Sequence, residues 1–123
     1  MYSVTIRDHI MIAHSFNNDF FGPASRLHGA TYVVDVSFYS PTLNQYNVVI
    51  DIGIAQQMLH QCLEKLRYQN LDEMPEFNDK LTTTEFLAYY IHKTVKHKVV
   101  DHFQGKIKVT LGESHIAWAS YEE

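Results

Sequence analysis

Hydrophobic and polar positions alternate along the first part of the chain. Tyr2, Val4, Ile6, Ile10, Ile12 and His14 fall on one side, and Ser3, Thr5, Arg7 and His9 on the other. Period two is the signature of a half-buried strand, so a long strand runs from Tyr2 to His14, and His9, by its parity, faces water. Phe16 to Ala24, with Asn17-Asn18-Asp19 and Gly22-Pro23, has the chemistry of a loop. Alternation resumes from His28 to about Tyr39, with Ala30, Tyr32, Val34, Val36 and Phe38 on the apolar side. A hairpin of these two strands places His14 and His28 on the same sheet face.

Ser40 to Asn47 reads as a turn and Val48-Val49-Ile50 as a short extended piece. The period then changes: Ile52, Ala55, Met58, Leu59, Cys62, Leu63 and Leu66 recur at helical spacing behind Asp51, a suitable N-cap. Arg67 to Lys80 is polar and contains Pro75, so it is a connection. Thr82-x-x-Glu85 predicts a capping box opening a second helix through Leu87, Ala88, Ile91 and Val95. Lys93, Lys96, His97 and Lys98 gather at its far end, where positive charge suits the helix dipole. Asp101 to Gly105 turns the chain. Ile107, Val109, Leu111 and Glu113 then alternate with Lys106, Lys108 and Thr110, and a last strand runs from about Ile116 to Tyr121. The order β-β-α-α-β-β predicts a single α+β domain over residues 1–123, an antiparallel four-stranded sheet with two helices on one face.

A chain of 123 residues supports one real core, and 46% hydrophobic content excludes disorder. A net charge of −4 with no basic run excludes a nucleic-acid surface. No apolar run approaches the roughly 20 residues that span a membrane. The amino terminus reads as strand rather than signal segment, so the cytoplasm is the expected location. The single cysteine, Cys62, excludes an internal disulfide and fits a reducing compartment; within the apolar stripe it reads as a buried structural thiol.

Candidate chemistry concentrates in four residues. Glu113 is in phase with Ile107, Val109 and Leu111. It is therefore either a desolvated carboxylate needing donors or a strand-end residue that has reached water. As a recognition group it accepts two parallel hydrogen bonds, which suits a guanine-like or pterin edge with adjacent N–H donors. His14 and His28 could hold a metal jointly, but catalytic zinc takes three protein ligands. His115 is the candidate third ligand, or a proton carrier, if the strand continues past Gly112; if the strand breaks there, His115 is a loop residue. No Ser-His-Asp or Cys-His set, glycine-rich phosphate loop or paired-cysteine motif is present.

Several segments, in order along nearly the whole chain, resemble the 6-pyruvoyl-tetrahydropterin synthase and 6-carboxy-tetrahydropterin synthase family. These are Met11-Ile12-Ala13-His14, Leu27-His28-Gly29-Ala30-Thr31-Tyr32, Asn47-Val48-Val49-Ile50-Asp51-Ile52-Gly53, Asn70-Leu71-Asp72, Thr83-Thr84-Glu85, and Glu113-Ser114 followed by Ala119-Ser120-Tyr121. The resemblance implies a tunnelling fold (T-fold) and a homo-oligomer, usually a hexamer of two stacked trimers. It also implies zinc on His14 and His28, and a pterin ring anchored by Glu113 beside Thr83, Thr84 and Glu85. The implied activity is that of a lyase acting on a dihydroneopterin-triphosphate-like substrate. The departures bear on that activity. Ala30 stands where the family has its third zinc histidine, Ala24 and Gly22 where it has its catalytic cysteine, and Arg67-Tyr68 where it has an Asp-His pair. Alanine neither binds metal nor moves a proton, and arginine is no base near neutral pH. Three readings stand at this point: a lyase with an altered metal site in which His115 substitutes, a non-catalytic pterin- or purine-binding homologue, and a structural remnant.

Overall fold

A computed structural model describes residues 1–123. The alternating stretches form strands β1 (Tyr2–His14), β2 (His28–Ser40), β3 (Lys106–Ser114) and β4 (Ala117–Glu122), and the helical stripes form α1 (Ile52–Leu63) and α2 (Thr84–Lys98). The sheet is antiparallel in the order β1-β2-β3-β4. Both helices cover one face, α1 over β1 and α2 over β3 and β4, giving the T-fold topology.

The core follows from the two periods. Ile6, Ile10, Tyr32, Val34, Val36, Phe38, Ile107, Val109 and Leu111 point from the strands into the helices. Ala55, Leu59, Leu63, Leu87, Ile91 and Val95 meet them from above. Cys62 is buried at the edge of this core, and burial pushes its thiol up, away from the thiolate form. The opposite face carries Ser3, Thr5, Arg7, Asp35, Ser37, Lys108 and Thr110 and has no covering element.

Three local details differ from the sequence reading. The N-cap of α2 is Thr83, whose hydroxyl accepts from Phe86 N at 3.1 Å, one residue later than the predicted box. Thr82 is buried and serves another partner, described below. The Arg67–Lys80 connection is not a free loop: it forms two 3-10 turns and runs beside the outer edge of β1. Val49 and Ile50 form bends rather than an extended piece.

Candidate functional site

The site lies where the hairpin end of the sheet meets the start of α2. His14 and His28 are register partners at the ends of β1 and β2, with ring centroids 4.6 Å apart. Phe16 and Tyr32 pack edge-on against the His14 ring. His14 Nδ1 and the Thr82 hydroxyl share a hydrogen bond of 3.0 Å, and His28 Nδ1–H donates to Arg26 O at 2.8 Å. The backbone around His14 is held from outside. Ala13 N donates to Gln69 O at 2.9 Å, and Asp72 accepts from both the amide and the hydroxyl of Ser15. Burial pushes the His14 imidazole down to about 4; His28 adds to the effect, and Asp72 and Thr82 oppose it.

The two residues after Thr82 lead to the other half of the site. Thr83 caps α2, and Thr84, its first residue, donates its hydroxyl to Glu113 Oε2 at 3.4 Å. The Glu113 carboxylate therefore lies against a helix N-terminus, where negative charge is favoured. Tyr32 sits between the two halves. Burial pushes its phenol up, partly offset by a hydrogen bond with Thr84, and the nearby Glu113 and Glu85 carboxylates add to the rise.

Glu113 is exposed, so of the two sequence expectations the strand end in water is the one observed. The cause is a bulge: β4 pairs with Gly112 and Ser114 but not with Glu113. Bulges re-aim side chains next to binding sites, and here the bulge frees a carboxylate from the ladder. His115 lies in the β3–β4 turn and lines a cleft on the uncovered face of the sheet, together with Thr31 and Asp35, whereas His14 and His28 lie on the helix-covered face.

The structure thus gathers His14, His28, Thr83, Thr84, Glu85 and Glu113 around Tyr32 and Thr82, and leaves His115 outside. Sequence reasoning missed Thr82, Tyr32 and Asp72 as partners. The available signal was the run Thr82-Thr83-Thr84, more hydroxyls than one cap requires. Arg67 is taken up elsewhere: its Nη1 donates to His9 O at 2.7 Å and its Nη2 lies 3.4 Å from Asp8.

The residues present do not complete a zinc site. His14 and His28 each have Nδ1 engaged, leaving Nε2 as the free ring nitrogen, which makes two donors where catalytic zinc takes three. Ala30, two residues beyond His28 on the same strand face, brings no donor atom. No group of three His, Cys, Asp or Glu side chains is arranged to hold a metal ion.

The family model of 6-pyruvoyl tetrahydropterin synthase matches residues 3–123. The chain belongs to that family. With two zinc-type histidines and no third donor, it is a divergent member. Solved structures share the fold across almost the whole chain. The Caenorhabditis elegans 6-pyruvoyl tetrahydropterin synthase superposes with a TM-score of 0.81 at 23% identity, over 100% of this chain and 97% of that one. The Plasmodium vivax enzyme gives 0.79 at 16% identity and the Plasmodium falciparum enzyme 0.74 at 17%, each over 99% of this chain and 97% of the other. No curated protein matches the sequence significantly. No helix is long and apolar enough to cross a membrane.

Proposed function

We propose that this family member is a non-catalytic binding protein for the hydrogen-bonding edge of a pterin or guanine-like ring, with Glu113 as the anchor. The observation that carries the reading is the bulge at Gly112–Ser114. It leaves the Glu113 carboxylate outside the strand ladder and beside the Thr84 hydroxyl at the start of α2. One carboxylate accepts two parallel N–H bonds, from a ring nitrogen and an adjacent amino group. Thr83, Thr84 and Glu85 border the ring, and the His14–His28 pair lies beside Tyr32. The family's reactive residues are replaced: Ala24 and Ala30 carry no reactive group, Arg67 is tied to the β1 edge, and burial lowers the His14 pKa, so its imidazole is a poor proton donor at neutral pH.

The facing imidazoles favour a second reading, a lyase acting on a dihydroneopterin-triphosphate-like substrate. There, zinc on His14 and His28 gains a third ligand, with His115, as ligand or proton carrier, brought in by movement of the β3–β4 turn. For the assembly we adopt a homo-oligomer, a hexamer, joined through the open first residues of β1 and the outer edge of β4, in which case sedimentation gives a multiple of the 14.3 kDa chain mass.

Calorimetry with 7,8-dihydroneopterin and with guanosine tests the anchor. Glu113→Ala is expected to weaken binding of at least one of them by about a hundredfold, the loss of two charge-assisted hydrogen bonds. Unchanged affinity overturns the proposal. Turnover of dihydroneopterin triphosphate by protein containing one zinc per chain, with both lost in His115→Ala, transfers the assignment to the lyase reading.

A further inference from the structure

One buried histidine takes no part in the site described above. His92 is fully buried on α2, where the helix packs against β3 and β4. Its Nε2–H donates to Ile107 O at 3.0 Å; a carbonyl only accepts, so this nitrogen carries the proton of the neutral ring. Nδ1 is buried too and has no protein partner. A neutral ring therefore leaves a lone pair unmatched, whereas an imidazolium leaves both an N–H and a charge unmatched, the costlier state. The Ile107 carbonyl also accepts from Glu123 N at 3.1 Å, and Ile107 N donates to Glu123 O at 3.1 Å. His92 thus shares the acceptor that closes the far end of the β3–β4 ladder.

The groups around the ring set which way a proton acts. From β4, Tyr121 packs edge-on against His92 at 4.8 Å and meets Tyr89 of α2 at 5.1 Å. Lys93 Nζ lies 5.6 Å from the Tyr89 ring and 5.5 Å from the Tyr121 ring. Lys93 and Lys96 both hold the Glu123 carboxylate, at 2.5 and 3.2 Å. β3 presents only its carbonyl, because Lys106 pairs with Glu122 and Lys108 shares the uncovered face with it. Burial holds the imidazole below its usual range; Lys93 adds to this, and the Ile107 and Glu123 carbonyls and the Glu123 carboxylate oppose it. Hydrogen bonds from Lys93 and Lys96 hold Glu123 itself down at about 2, so it stays charged wherever a histidine titrates.

We propose that His92 is a proton-operated lock on β4: neutral, it holds Tyr121 to Glu123 against β3 and α2, and when Nδ1 takes a proton from solvent that end of β4 lifts and the imidazolium reaches water. The open form binds the proton and the closed form resists it. Closure is therefore complete above about pH 6.5 and weakens as pH falls toward the lowered value of the closed form. The element released carries the outer edge of the sheet, so copies joined through β4 come apart in acid. The lock does not depend on the Glu113 reading.

Amide exchange followed by NMR on the full chain in EDTA, at pH 7.5, 6 and 5 and corrected for intrinsic rates, reads the opening directly. From pH 7.5 to 5 the Ile107 and Glu123 amides should lose protection about fivefold or more. About thirtyfold is the ceiling for a group whose open-state pKa is about 6.5. The Ile6 and Val36 amides of the β1–β2 hairpin should change less. His92→Gln keeps an N–H for Ile107 O and cannot titrate, so its Ile107 and Glu123 amides should keep the same protection at all three pH values. Glu123→Gln should lower protection throughout and retain the slope. No loss in the wild type, or an equal loss in His92→Gln, overturns the proposal. The wild-type imidazole signals give a reading that needs no variant: titration of His92 at or above about pH 6.5 also overturns it.

Discussion

Residue His14, 1% exposed among Phe16, His28, Tyr32 and Thr82, is the clearest case of tertiary surroundings setting a side chain's chemistry. Burial lowers its folded pKa to about 4, against about 6.5 in an unfolded chain. Between those values the unfolded chain binds more protons than the folded one, so stability rises with pH across the window. The contribution is complete above about pH 6.5 and disappears as pH falls to about 4. Its size is about 3 kcal/mol at most, from 1.36 kcal/mol per pKa unit. Urea unfolding in EDTA at pH 7.5, 5.5 and 4 should show this slope in the wild type and a flatter one in His14→Gln. Equal slopes in the two proteins would assign the pH dependence to other groups.

At the scale of elements, the segment after α1 works as a strap. Tyr68 N donates to Met11 O at 2.7 Å and Ala13 N donates to Gln69 O at 2.9 Å, while the Arg67 side chain covers His9 O. Backbone groups on an edge strand otherwise stay unpaired and invite foreign strands, so the strap closes β1 from His9 to Ala13. Arg67 is largely covered, and its truncation leaves His9 O without its side-chain donor and removes one of the partners of Asp8. Arg67→Ala should cost about 1–3 kcal/mol in urea unfolding at neutral pH. A cost near zero would mean that the backbone bonds of Tyr68 and Gln69 hold the strap alone. The Arg-Tyr pair at 67–68, which in the family resemblance replaces a proton-transfer pair, is thus tied into the architecture of the strand edge.

For the whole molecule, the two helices bury one face of the sheet and leave the other to Thr5, Arg7, Asp35, Lys108 and Trp118. Both edge strands remain partly open, β1 over its first residues and β4 along its outer side. If copies join through these edges, as proposed, folding and association are linked, and the melting temperature rises with protein concentration. A tenfold dilution from about 100 µM should lower it measurably, with sedimentation showing a smaller species. A melting temperature independent of concentration, together with a 14.3 kDa species in sedimentation, would show that the edges are not used.

Much of this architecture was written in local patterns. Alternation marked strands from Tyr2 to His14 and from His28 to about Tyr39, and helical spacing marked one helix from Ile52 to Leu66 and a second through Leu87, Ala88, Ile91 and Val95, close to the observed elements, because the period of burial is a property of the backbone each segment adopts. Parity alone placed His14 and His28 on one face and singled out Glu113, and the family motifs added Thr83-Thr84-Glu85. What the periodicity could not supply was partnership across the chain. His14 meets Thr82, 68 residues away, and Ser15 meets Asp72, 57 away; both pairs depend on how connections without periodic pattern are laid against the sheet. The bulge that exposes Glu113 and turns His115 toward the cleft arises from the register between β3 and β4, which neither strand specifies alone. Which residues form the elements was therefore decided locally, and which side chains share a site was decided only when the elements packed.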